Sequence, residues 1–357
     1  MRLAIILPRH MHYAADRATS VDLCARDFVV HSRFRPGITV IGEAVASPFA
    51  DAPFIGVAGI GRRFGPVGFG DRSFAPVAEA IRQAKPVAIL VHQYPLAAAR
   101  VARAFPGIPV ILQRHNHLPA RSGVHRVWRD RAFRNLALVA FVSETARRSY
   151  TGKARSAVTY NGIDTRAFVP GPKQRTVLFA GRAVPEKGVE IFAEAAAAAL
   201  ASRPDWRAVM ALGGGRSVAA TVAAVRRHLA PLGPRAELMF DLPHATVMGL
   251  FAQAEIAVVP SVWAEPFGRT ALEAMTCGAA VISSGRGGLT EVTGETAITT
   301  GTVDPADFAA AIARLIDTPT ERARLQAEGR ARAVERFDIR IVTAAFDGLL
   351  AEVAGAV

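Results

Sequence analysis

The chain has 357 residues, 51% of them hydrophobic and 20% charged, which is room for two domains whose cores need no disulfide or metal to hold them. Its two cysteines, Cys24 and Cys277, stand far apart with no second Cys or His at ligand spacing, which excludes a disulfide framework and a zinc finger. The formal net charge of +13 sits in one half: residues 1–168 hold 24 Lys and Arg against 10 Asp and Glu, and residues 169–357 hold 19 against 20.

The first apolar run, 3–7, stops at Pro8, too short for a signal-peptide core, and reads as a first β-strand. No stretch reaches the roughly 18 uninterrupted apolar residues of a membrane span, so a cytoplasmic protein is expected. Further strands are predicted at 87–91, 110–113, 138–142 and 157–160, several as near-continuous apolar runs of the kind that parallel strands buried on both faces show. Between residues 100 and 155 lie twelve basic residues against Asp130 and Glu144 alone. Coding bias accounts for 39 of the 43 basic residues being arginine, but not for the excess lying in one half. Such a surface attracts polyanions, and peripheral contact with an anionic membrane on the inner face of the plasma membrane is expected ahead of nucleic acid.

The Pro/Gly segment 169–173 reads as an interdomain hinge. Beyond it the pattern restarts, with strands at 177–180, 207–212, 237–240, 256–259 and 280–283 and helices at 188–201, 218–229, 245–254 and 270–277. Strand and helix alternating in this way predict an α/β protein of two doubly wound, Rossmann-like domains facing a central cleft, with ligands at the carboxyl ends of the strands. The expected domains are 1–168, joined by a returning C-terminal helix at 341–357, and 169–340.

Familiar nucleotide motifs fail on inspection. Gly56-Val-Ala-Gly59-Ile-Gly61 lacks the third glycine of a dinucleotide site, and Gly181-Arg-Ala-Val-Pro-Glu-Lys187-Gly188 has Glu186 and Gly188 where a P-loop needs Gly and Ser or Thr. What remains at 181–188 is a strand, Arg182, a short loop, then Lys187 at the opening of a helix. Two cations and a helix N-terminus can hold a diphosphate without a metal. The cluster His115-Asn116-His117 with His125 has no acidic partner, so no metal and no cofactor are expected.

The most informative segment is Glu265-Pro-Phe-Gly-Arg-Thr-Ala-Leu-Glu273, between a buried strand ending at Pro260 and Gly278, with Gly287-Gly288 downstream. Gly268 and the amides opening the helix can approach a ligand closely, and two carboxylates can accept bonds from sugar hydroxyls. Each glutamate alone also fits a helix-dipole or solvent-facing role. Two glutamates separated by seven residues with this filling resemble the signature of the family-4 glycosyltransferases of the GT-B fold. The resemblance extends to Arg182 with Glu186-Lys187-Gly188, to Leu212-Gly213-Gly-Gly215, to Tyr160-Asn-Gly-Ile-Asp164 with Phe168, to the strand ending in His115, and to Phe141-Val-Ser143-Glu144.

The resemblance implies a retaining, metal-independent hexosyltransferase. It would move a sugar from a UDP- or GDP-sugar to a surface glycan, a lipopolysaccharide or a lipid-linked acceptor. The second domain would bind the donor and the first the acceptor. Arg182 and Lys187 would neutralise the diphosphate, Glu273 would bind the ribose hydroxyls, and Glu265 with Phe267, Gly268, Arg269 and Thr270 would hold the transferred sugar. Gly213 and Leu242, in the segment 241–244 near the nucleobase, would complete the donor site, and His115 would act on the sugar from the first domain. Arg9, Thr19, Ser20, His92 and Arg114 are the acceptor-side candidates. The segment 8–20 departs from the family by lacking its Gly-Gly turn. A sugar-nucleotide epimerase of the same fold, and a non-catalytic sugar-nucleotide or polyanion binder, are the alternatives.

Overall fold

A computed structural model describes residues 1–8, 11–15, 19–63, 74–118, 127, 131–214 and 219–355. The chain divides into two compact units, Met1–Gly162 with Ile339–Val357, and Ile163–Asp338. Among the described residues no helix is long and apolar enough to cross a membrane.

The first unit is built on β1 (Leu3–Ile6), β2 (Ile38–Gly42), β3 (Phe54–Gly56), β4 (Ala88–His92), β5 (Val110–Arg114), β6 (Leu138–Phe141) and β7 (Ser156–Val158), in the order β3-β2-β1-β4-β5-β6-β7. Every pair is parallel, with Leu3 facing Ile38 on one side and Ala88 on the other. The near-continuous apolar runs follow from burial on both faces. Ala4, Ile6, Ile89, Val91 and Leu112 point into one core, which includes Val77, Ile81 and Val101 of the helices Ala75–Ala84 and Pro95–Ala104. Leu3, Ile5, Val40, Leu90 and Ile111 point into the other, with Phe28 of the helix Ser20–His31 and Phe346 and Leu350 of the helix Ile339–Val353. That last helix is fixed by the Phe28 and Phe346 rings, 5.2 Å apart, and by Asp347, whose Oδ1 accepts from Ser32 Oγ at 2.6 Å.

Residues 11–15, in the segment after β1 that lacks a Gly-Gly turn, pack into the first unit. Met11, Tyr13 and Ala14 are buried, and the Tyr13 ring lies edge-on to Phe49 at 5.2 Å and stacked on Phe54 at 6.0 Å. Arg9 lies outside the described residues.

The second unit is built on β8 (Gln174–Arg182), β9 (Arg207–Gly213), β10 (Ala236–Phe240), β11 (Ala254–Val259), β12 (Ala280–Ser283) and β13 (Ala297–Thr299), all parallel, in the order β10-β9-β8-β11-β12-β13. The strand order reverses between β8 and β11, and a crevice opens at such a point beyond the carboxyl ends of the strands. In the first unit the equivalent point lies between β1 and β4.

The unit boundary corrects the expected hinge at 169–173. Ile163 N–H donates to Phe337 O at 3.0 Å, and the Arg330 guanidinium donates to the carbonyls of Thr165, Phe168 and Thr276, so residues 163–168 already belong to the second unit. Lys173 Nζ likewise donates to Ala254 O and Cys277 O. The Pro/Gly segment is therefore tied down inside the second unit.

Candidate functional site

At the carboxyl end of β8 the chain leaves the sheet at Arg182, whose side chain is exposed, and makes a single 3-10 turn, Pro185–Lys187, before the helix Val189–Leu200. Gly188 joins them with φ +70, and a Cβ there would lie 2.1 Å from Pro260 O. Only glycine allows this approach, which carries Lys187 to the end of β11. There Lys187 Nζ donates to Glu265 Oε1 at 2.6 Å and stands 5.6 Å from the centre of the Trp263 ring.

Glu265 is buried, and its Oε1 also accepts from Ser261 Oγ at 2.6 Å. Both bonds fall on one oxygen, which leaves Oε2 without a hydrogen-bond partner among the described residues. The loop is held from behind by Gly287-Gly288. Gly288 N–H donates to Glu265 O at 2.7 Å, and a Cβ on Gly287, φ +67, would meet that same oxygen at 2.3 Å. The downstream glycines thus serve the close packing of the glutamate loop.

The helix Arg269–Thr276 begins directly after Gly268 and carries Glu273. Glu273 is buried, which alone would raise its pKa. The hydrogen bond from His244 Nε2 and the charge of Arg269, both 2.9 Å from Oε1, outweigh that cost and lower the pKa below the ordinary value. His244 opens the helix His244–Gln253 and lies edge-on to Phe168 at 5.9 Å. Gly213 ends β9, Gly214 N–H donates to Asp241 Oδ1 at 2.7 Å, and Leu242 is half-buried beside that turn. The ends of β8, β9 and β11 and the loop after β10 therefore carry Arg182, Lys187, Gly213, Leu242, Glu265 and Glu273 at one end of this sheet. Phe267 is buried, and Thr270 stands in the first helical turn, where backbone N–H groups have no intrahelical acceptor.

Ser261 and Trp263 join this constellation with no role assigned to them from the sequence, and His244, expected only within the segment near the nucleobase, joins it through its side chain. Ser261 and Trp263 lie within four residues of Glu265, so loop position was the available signal. The His244 bond to Glu273 spans 29 residues and needs the fold.

His115 belongs to the first unit, just beyond β5. Its Nε2 lies 3.0 Å from Nδ1 of His92, the last residue of β4. His92 is fully buried without a charged partner, which pushes its pKa down to about 3. The Arg114 guanidinium is turned inward, donating to Gln93 O at 2.5 Å and His117 O at 2.9 Å, and burial pushes it down to about 10. Thr19 donates through both N–H and Oγ1 to Asp22 Oδ2, closing the start of the helix that Ser20 opens. Among the described acceptor-side candidates, His92 and Arg114 thus brace neighbouring residues, and Thr19 caps a helix.

Residues 10–167 match the model of Glycosyltransferase Family 4, and residues 164–332 that of Glycosyl transferases group 1. A D-inositol 3-phosphate glycosyltransferase of Acidothermus cellulolyticus is 34% identical over 48% of this chain and 42% of its own length. The lipopolysaccharide core biosynthesis mannosyltransferase LpsB of Rhizobium meliloti is 28% identical over 55% of this chain and 61% of its own. The match thus spans about half the length of these relatives. Anabaena Alr3699/HepE, solved in complex with UDP and glucose, superposes with a TM-score of 0.77 at 20% identity, covering 98% of this chain and 99% of that one. Two Rossmann-like units in GT-B order, with these two models end to end along the sequence, place the chain among the group 1, family-4 glycosyltransferases.

Proposed function

We propose that the protein is a retaining, metal-independent glycosyltransferase that transfers a hexosyl group from a UDP- or GDP-sugar to a surface glycan, a lipopolysaccharide or a lipid-linked acceptor. The observation that carries this reading is the pair of carboxylates at the switch point of the second sheet. Glu265 is held by Lys187 and Ser261, and Glu273 by Arg269 and His244, each with one oxygen unused by the protein among the described residues. Such oxygens suit sugar and ribose hydroxyls, while Arg182 and Lys187 suit the diphosphate. In the reaction the bond from the anomeric carbon to the β-phosphate oxygen breaks, and its electrons stay on the phosphate. An acceptor oxygen bonds to the same face of the sugar, and its proton passes to the departing phosphate. Placed cations at that phosphate act where negative charge develops, each worth about 2–4 kcal/mol. On the family resemblance, His115 would act on the transferred sugar. The mannosyltransferase LpsB and the UDP complex of Alr3699/HepE support the acceptor and donor classes.

The test is a panel of UDP- and GDP-sugars with lipid-linked and glycan acceptors, with and without a chelator. Release of nucleoside diphosphate with retained anomeric configuration, unaffected by chelation, is expected. Donor interconversion without transfer would favour an epimerase. For the basic first unit, salt-sensitive cosedimentation with anionic but not neutral vesicles is expected, since each basic residue near such a surface contributes about 1 kcal/mol. Equal binding to both vesicle types would remove the electrostatic basis of the contact, and binding to neither would remove the contact.

A further inference from the structure

We propose that His92 is a positioning residue: its Nδ1–H donates to His115 Nε2 and holds His115 in the Nδ1–H tautomer, so that His115 acts as a hydrogen-bond donor and not as a base. The inference deepens the proposed function and rests on its placing His115 at the reacting sugar. A neutral imidazole has one N–H and one lone pair, so a bond between two ring nitrogens assigns the proton to one of them. His92 and His115 are both buried, with ring nitrogens 3.0 Å apart and ring planes 12° from parallel. The other nitrogen of His92, Nε2, is buried with no hydrogen-bond partner among the described residues. A proton there would be an orphaned donor, which proteins tolerate less readily than an orphaned acceptor. On Nδ1 the same proton is used in the bond to His115. Burial without a counter-charge also keeps His92 neutral, so it has only that one proton to give.

The consequence falls on His115. With its Nε2 lone pair occupied, its own proton sits on Nδ1, and the ring has no second lone pair with which to take a proton from an acceptor hydroxyl. This agrees with a reaction in which the departing phosphate takes that proton. The backbone of His115 is fixed separately. Gln93, with a left-handed φ of +64, turns its side chain back so that Oε1 accepts from His115 N–H at 3.1 Å. One neighbour holds the main chain and the other selects the tautomer.

The test is long-range proton–nitrogen NMR of the full chain labelled at histidine ring nitrogens, with His92→Asn and His115→Asn assigning the two rings among the nine histidines. We expect His115 to be protonated at Nδ1 in the wild type and in His92→Asn, whose amide N–H takes the place of His92 Nδ1. In His92→Leu it should shift toward the Nε2–H form. Wild-type His115 carrying its proton on Nε2, or a tautomer unchanged in a folded His92→Leu, would overturn the proposal. In turnover, His92→Leu should lower kcat about tenfold or more with little change in donor KM, and His92→Asn should restore most of it. Loss of kcat in both, with the tautomer intact in His92→Asn, would also overturn it. The spectrum needs no donor, so a chain that transfers no sugar would refute the functional reading while leaving the tautomer result to stand or fall separately.

Discussion

Glu265 and Lys187 are 78 residues apart in sequence and share one 2.6 Å contact in the fold. Replacing the carboxylate by an amide keeps its size and removes its charge. Glu265→Gln should therefore lower kcat by about 10²–10³ if the carboxylate meets positive charge developing on the sugar. A fall in donor affinity with kcat unchanged would make Glu265 a binding group only. His92 makes a second prediction, in stability. Its folded pKa of about 3 lies below the unfolded value near 6.5, so between those pH values the unfolded chain binds the extra proton. Stability at this group is full above pH 6.5 and falls by about 1.4 kcal/mol per unit as the pH drops toward 3. Denaturant unfolding across that window should show a shallower pH slope in His92→Asn, and an identical slope would contradict the burial of a neutral imidazole.

The elements depend on glycines in two different ways, and substitution separates them. Gly188→Ala and Gly287→Ala place a Cβ 2.1 Å and 2.3 Å from backbone oxygens at positive φ, and each should cost about 1–3 kcal/mol or more in stability and displace the loops carrying Lys187 and Glu265. A Cβ at Gly213 meets nothing within 4 Å. Gly213→Ala should leave the melting temperature near wild type yet weaken nucleotide binding if the donor passes close to that turn. Unchanged affinity would remove Gly213 from the site. Most strands were legible in the sequence because burial on both faces makes them near-continuous apolar runs. The edge strands β3 and β13 were not, being three residues long with the last residue exposed. β2 was missed as a short run directly behind Pro36-Gly37. The glutamate loop could be read because its residues are contiguous. The Lys187, His244 and His92 contacts could not, because each depends on which strands become neighbours and in what register.

At the scale of the molecule, two parallel sheets in Rossmann order place the charged loops of the second unit at a strand-order reversal, while the excess positive charge belongs to the first half of the sequence. Under the proposed function, the second half would take a nucleoside diphosphate and the first an anionic acceptor or surface. The donor half is the more directly accessible to experiment. Calorimetric titration of UDP, GDP, ADP and NAD into the metal-free protein, with Lys187→Ala and Glu273→Ala alongside, should show micromolar binding of UDP or GDP that both substitutions weaken. Binding of no diphosphate, or binding indifferent to both substitutions, would contradict a donor site in the second unit.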